Sequence, residues 1–291
     1  MKPEISAFAL AILVFALTAC GGASPMASAT THRFSIKSGG LDRSYVVFRP
    51  AGLATSRAVP VVFVLHGLGD SGTSIEQATG FDAVSQANQF VAIYPDGYAN
   101  SWNTGAGVGR AEQVGVDDVA FIEAILAQEA KDQAIDPDRV FATGFSLGAV
   151  MTHHLGCELS SRIAAIASME GALWGRPCRP NRPVSVLQIH GTLDAAVPYP
   201  GMVRELEGGS LVDRNISTVD LWKQLDQCNK PPSHAVTGSV TRDVVTGCSQ
   251  DTAVALYTVD GLNHDIASPP QLDEAAEIWV FFAAHGRAIP K

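Results

Sequence analysis

The sequence predicts an α/β chain with a mostly parallel central sheet, flanked by helices and preceded by an antiparallel hairpin. Three observations carry this. Continuous apolar runs such as VPVVFVLHG (59–67) stop at glycine, as in strands buried on both faces. Amphipathic stretches alternate with them: VDDVAFIEAILAQEAKD (116–132) gathers Val119, Ile122, Ile125 and Leu126 on one face. Repeated β-α-β units of this kind require parallel strands joined by crossovers.

The elements follow in order. HRFSIKS and SYVVFRP flank a Gly-Gly turn and read as the hairpin. After the strand at 59–67, SIEQATGFDAVSQANQ (74–89) reads as a helix with a weak point at Gly80, and FVAIYPDG (90–97) as the next strand and turn. SWNTGAGVGRAEQVG (101–115) is a glycine-rich loop, followed by the helix at 116–132. DRVFATGFS (138–146) is a strand and LGAVMTHHLGCE (147–158) a helix. Further strands are expected at 163–171, 184–194 and 252–261, with a helix at 217–227. QLDEAAEIWVFFAAHG (271–286) closes the chain as a helix stopped by Gly286.

The chain has 291 residues, is 46% apolar and carries a net charge of −9. That composition suits one domain with a sizeable core, spanning 32–291. It excludes nucleic acid as a partner, because phosphate binding calls for basic clusters. Residues 1–19 read as a signal peptide, with an apolar run from Ala7 to Ala19 too short to span a bilayer comfortably. Leu17-Thr18-Ala19-Cys20 resembles a bacterial lipobox, which makes Cys20 the lipidated residue and gives the protein an acyl anchor in a membrane. The other reading is a cut after Ala29 and free secretion. Residues 20–31 read as a flexible tether.

Export sets the reading of Cys157, Cys178, Cys228 and Cys248. Four thiols in an oxidising compartment predict two disulfides with three possible connectivities, and near-neighbour pairing is the expected one. A zinc site would rest on His153, His154 and Cys157. Adjacent histidines on a helix point about 100° apart, so those ligands converge poorly, and no metal is expected.

Ligands in parallel sheets gather at the carboxyl ends of the strands. Several strands here end in a reactive group: His66-Gly67, Asp96-Gly97, Ser146, Glu170-Gly171, Asp194 and the loop bearing His264. Gly144-Phe145-Ser146-Leu147-Gly148 is a weak motif by itself, but it stands between a strand and a helix. That context fits an elbow that pushes the serine hydroxyl out of the turn. A serine hydroxyl is a poor nucleophile without an adjacent base, and the base needs an acid to orient it. The α/β-hydrolase order Ser, Asp, His then selects Ser146, Asp194 and His264 as the catalytic residues. His190 breaks that order. His153 and His154 lie inside the helix after the serine, and His285 ends a helix. Asp260 and Asp265 stand too near His264 in sequence to buttress it easily. Backbone N–H groups of Leu147 and of Leu68, in the loop LHGLGDSG, are the expected oxyanion donors. Trp102 and Trp174, in loops after strands, are candidate substrate-binding residues; Trp222 and Trp279 read as core.

In order, VPVVFVLHGLGDSG, FVAIYPDG…SWNTG, IDPDRVFATGFSLGAVMTHHLGCE, VSVLQIHGTLDAAVPYPG and LYTVDGLNHDIA resemble the secreted esterases of the poly(3-hydroxybutyrate) depolymerase and feruloyl esterase type. The likeness runs from about His32 to His285. It implies the α/β-hydrolase fold, the Ser146–Asp194–His264 triad, the pairs Cys157–Cys178 and Cys228–Cys248, and no cofactor. It also implies an exported serine carboxylic ester hydrolase working through an acyl-enzyme, on short-chain acyl, hydroxybutyrate-oligomer, feruloyl or acetyl esters. WNTGAGVG lacks the cysteines common after Trp-Asn, GLNHDIA lacks a tryptophan, and Leu147 replaces a small residue. These departures border the pocket, so they bear on the acyl group rather than on the reacting residues. The rival readings are a serine peptidase of the same fold and a non-catalytic surface lipoprotein that uses the fold for binding.

Overall fold

The computed structural model describes residues 28–287. The lipobox, Cys20 and most of the expected tether lie outside them. The first strand, β1 (Thr30–Ser38), begins inside the segment read as tether, because its residues pair with β2 (Leu41–Arg49) as far as Thr30 opposite Arg49. The chain continues through β3 (Val59–Leu65), α1 (Gly72–Thr79), α2 (Phe81–Asn88), β4 (Val91–Pro95), α3 (Arg110–Val114) and α4 (Asp118–Asp132). Then come β5 (Ile135–Phe145), α5 (Leu147–Glu158), β6 (Ala165–Met169), β7 (Trp174–Gly175) and β8 (Ser185–Gly191). The rest is β9 (Met202–Glu207), β10 (Ser210–Ser217), α6 (Thr218–Leu225), β11 (Ser233–Thr237), β12 (Val240–Val245), β13 (Val254–Val259) and α7 (Glu274–Ala284).

Ten strands form one sheet in the order β1-β2-β4-β3-β5-β6-β8-β13-β12-β11. The run from β4 to β13 is parallel, and the hairpins at both edges are antiparallel. The pleat of β3 explains its unbroken apolar run. Val61, Phe63 and Leu65 enter the core beneath α4, α5 and α6, whereas Val62 and Val64 enter the one beneath α1, α2 and α7. Strand order reverses at β3, which has β4 on one side and β5 on the other. The crevice at the carboxyl ends of β3 and β5 is where such a sheet binds ligands.

Four expectations are corrected. The helix expected over 74–89 breaks at Gly80, whose φ of 70° ends α1 and admits α2. The loop at 101–115 contains the short helix α3. The last helix starts at Glu274, because the Asp273 side chain caps it by accepting from Ala276 N–H at 3.0 Å. It ends at His285, with φ of −126°, so Gly286 is not its stop. Two hairpins were not expected: β9–β10, which joins β7 in a small separate sheet, and β11–β12 at the edge of the main one. Disulfides join Cys157 to Cys178 and Cys228 to Cys248.

Candidate active site

Ser146 stands between β5 and α5 with φ of 55° and ψ of −120°, a conformation that L residues rarely adopt. Two glycines make the turn possible. A Cβ on Gly144 would stand 2.6 Å from the Gly148 carbonyl group, and one on Gly148 would stand 2.3 Å from the Leu65 carbonyl oxygen. The serine N–H donates to Met169 O at 3.0 Å, which ties the elbow to β6.

The structure brings Ser146, His264 and Asp194 together. His264 Nε2 lies 2.7 Å from Ser146 Oγ, and His264 Nδ1 lies 2.8 Å from Asp194 Oδ2. The hydroxyl therefore donates to Nε2, and the Nδ1–H donates to the carboxylate. Asp194 Oδ1 accepts from the backbone N–H groups of Ala196 at 2.8 Å and Val197 at 2.9 Å. Burial pushes the Asp194 carboxyl up. The hydrogen bonds from His264, Val197 and Glu170 outweigh it and hold the group below the usual carboxylate range. The Phe145 ring packs against the His264 ring, with centroids 5.1 Å apart.

The loop after β3 is held from below by His66. Its Nδ1 donates to Gly67 O at 2.7 Å and its Nε2 accepts from Gly97 N–H at 2.9 Å. Burial keeps the ring neutral by lowering its pKa. A Cβ on Gly67 would sit 3.5 Å from the Ser146 Cβ, so this loop lies against the elbow. The N–H groups of Leu68 and Leu147 have no hydrogen-bond partner among the described residues. Both leucines line the same cavity as Ser146, a hollow of about 130 Å³ completed mainly by Val108, Val150, Trp174 and Val197. A hollow of about 710 Å³ between Pro200 and Gln224 is larger, but no histidine lines it and its serine, Ser217, is the N-cap of α6; chemistry rather than size marks the site.

Trp102 and Trp174 separate here. Trp174 is half-buried and faces the cavity, with its Nε1 donating to Met202 O at 2.9 Å and the Arg204 guanidinium 4.9 Å from its ring centroid. Trp102 is fully buried, and its Nε1 donates to His66 O at 2.8 Å. It supports the loop after β3 and does not line the cavity beside Ser146, which corrects the expectation from sequence. Trp222 and Trp279 are in the core.

The four histidines that compete with His264 in the sequence are spent on structure. His153 accepts from Trp222 Nε1 at 3.1 Å, and burial lowers its pKa to about 3. His154 bonds Trp174 O at 2.8 Å, and burial lowers its pKa to about 4. His285 bonds Phe281 O at 2.7 Å. His190 donates from Nε2 to Val197 O at 2.7 Å and accepts from Gln188 at Nδ1, 3.0 Å away. Neither Asp260 nor Asp265 bonds to His264; they accept from Thr192 Oγ1 and Ile266 N–H.

One residue of the site had no role in the sequence reading beyond its place at a strand end. Glu170 follows β6, is fully buried, and has φ of 52°. Ligand atoms of Glu170, His190 and Asp194 lie within 4.8 Å of one another. Each is already engaged: Glu170 accepts from Gly191 N–H, His190 bonds Val197 O and Asp194 bonds His264. The trio therefore reads as an extension of the hydrogen-bond chain rather than a metal centre.

Residues 53–207, which carry the loop after β3, the elbow and Asp194, match the phospholipase/carboxylesterase family. The chain belongs to that family. The phospholipase/carboxylesterase match covers the half of the chain from which the nucleophile side of the site is built. The chain is 32% identical over 181 residues to NocK of Nocardia uniformis subsp. tsuyamanensis, covering 61% of this chain and 53% of that protein. It thus spans about half the length of that relative. It is 29% identical over 250 residues to feruloyl esterase C of Emericella nidulans, covering 83% of this chain and 84% of that one. An acetyl xylan esterase from Aspergillus awamori has the same fold, with a TM-score of 0.65 at 13% identity over 87% of this chain and 99% of that one. The α/β-hydrolase fold expected from sequence is therefore the fold found.

Proposed function

We propose that this protein is a serine carboxylic ester hydrolase working through an acyl-enzyme. The observation that carries the reading is the unbroken hydrogen-bond chain from Ser146 Oγ through His264 to Asp194. In the first step Ser146 Oγ bonds to the ester carbonyl carbon while its proton passes to His264 Nε2. The resulting oxyanion is held by the unpartnered N–H groups of Leu68 and Leu147. Collapse breaks the bond to the alcohol oxygen, which leaves with the proton from Nε2. Water then repeats the sequence on the acyl-enzyme and releases the acid. Asp194 keeps the Nδ1–H tautomer and stabilises the imidazolium.

The small apolar hollow beside Ser146 suits a short or slender acyl group, with Trp174 as its aromatic wall. Feruloyl and acetyl esters, the groups named for relatives and structural neighbours, fall within that class. Two disulfides suit an oxidising, exported setting, and attachment through Cys20 belongs to the same proposal. Ser146→Ala is expected to abolish hydrolysis of p-nitrophenyl butyrate and labelling by a fluorophosphonate while the circular-dichroism spectrum is unchanged. Undiminished turnover by the variant would remove Ser146 from the reaction.

A further inference from the structure

Two carboxyl groups meet behind the His264–Asp194 pair. Glu170 follows β6 and Asp194 follows the neighbouring strand β8, and a carboxyl oxygen of one lies within 4.8 Å of a carboxyl oxygen of the other. A hydrogen bond between them needs one proton on the pair, and the surroundings decide which acid holds it. Asp194 already accepts three N–H donors, from His264, Ala196 and Val197. Three donors to one carboxylate favour its charged form. Glu170 accepts from a single N–H, that of Gly191, shared between its oxygens at 2.9 and 3.0 Å. The other groups facing it give no counter-charge. His190 Nε2, 3.8 Å away, is already turned to Val197 O, and Glu274 at the start of α7 is another buried acid.

We propose that Glu170 is a positioning residue of the site: a neutral carboxylic acid that donates its O–H to Asp194 and holds that carboxylate toward His264. This rests on the ester-hydrolase reading. Burial and the neighbouring Asp194 and Glu274 carboxyls push the Glu170 acid up to about 10, in keeping with a retained proton. Backbone fixes the donor: Glu170 N–H bonds Ile189 O at 3.0 Å, so its side chain leaves from β8's own register. Gln at this position would keep both bonds, accepting from Gly191 through its oxygen and donating to Asp194 through its amide.

The test compares E170Q and E170A in the full chain with p-nitrophenyl butyrate. E170A is expected to lower kcat between about 10- and 100-fold with little change in KM, because His264 loses its fixed acid. E170Q is expected to restore most of that loss and to leave the acid limb of kcat/KM where the wild type has it. An E170A enzyme with wild-type kcat overturns the proposal, as does an E170Q enzyme no better than E170A. A downward shift of the acid limb in E170Q also overturns it, since it marks the loss of a negative charge beside His264. Infrared difference spectra at neutral pH read the proton without turnover. The protonated-carboxyl C=O band must be weaker in E170Q than in the wild type, and an unchanged band overturns the proposal even if E170A does not fold. Wild-type protein inactive on esters would sink the ester reading alone, since the infrared band reports on Glu170 directly.

Discussion

His264 Nδ1 lies 2.8 Å from Asp194 Oδ2 across 70 residues of sequence, and that carboxylate is completely buried. A buried acceptor with three N–H donors cannot turn away from the histidine, so the imidazole has one tautomer available. Asp194→Asn keeps the shape but can present an amide N–H to Nδ1. The wrong tautomer then faces Ser146, and kcat is expected to fall by about 10³- to 10⁴-fold, the scale of the same exchange in a serine protease. Steady-state hydrolysis of p-nitrophenyl acetate measures it; a loss under tenfold removes Asp194 from its role. The exchange also bears on stability. The folded pKa of Asp194 is depressed, so its contribution is present above the unfolded value and is lost as pH falls through the folded one.

Backbone strain at Ser146 gives a second prediction. With φ of 55° and ψ of −120° the residue pays roughly 1–3 kcal/mol for its conformation. Ser146→Ala and Ser146→Gly both remove the hydroxyl, but only glycine relieves the strain. Against its greater freedom in the unfolded chain, of about 0.5–1 kcal/mol, S146G is expected to exceed S146A in stability by about 1 kcal/mol. Urea unfolding of the two inactive variants decides it. The reverse order would show that the elbow is not strained.

How far the sequence led depends on which link held each residue. The meeting of Ser146, Asp194 and His264 was legible because each lies in a turn or loop after a strand and their chain order is that of a known site geometry. The glycines around Ser146 were legible for the same local reason. Trp102 was misread because a loop position does not reveal burial; only the fold shows its ring beneath the loop after β3. Glu170 was seen as a strand end but given no task, since its partner comes from another strand and depends on the register Met169 opposite Ile189. The β9–β10 hairpin was missed despite Gly208-Gly209 between its strands, a turn signal that was there to be used.

The Cys157–Cys178 bridge ties the end of α5 to the segment after β7, which carries Trp174. It closes a loop of 21 residues, and the entropy of that loop in the unfolded chain corresponds to about 3 kcal/mol. Replacing both cysteines with alanine is expected to lower stability by that order, read from the urea midpoint at constant slope. Cleavage of p-nitrophenyl acetate should be less affected than that of bulkier esters, because the bridge braces the wall of the pocket and not Ser146. Equal loss on both esters would count against that placement.

Asp226 supplies a dependence on pH that is separate from the site. Its side chain is fully buried; one oxygen accepts from Val184 N–H at 3.3 Å, and Oδ2 has no partner among the described residues. Burial pushes its pKa up to about 7. The folded state therefore holds this proton more tightly than the unfolded chain does. Its contribution to stability is full below the unfolded value near 3.8 and is lost as pH rises toward 7. One such group changes stability by at most about 1.4 kcal/mol per pH unit. Asp226→Asn keeps a neutral side chain at every pH, so its advantage over the wild type should grow from pH 5 to pH 8. Thermal unfolding of both proteins across that range measures it. Parallel curves would mean that Asp226 is already ionised in the folded protein at pH 5.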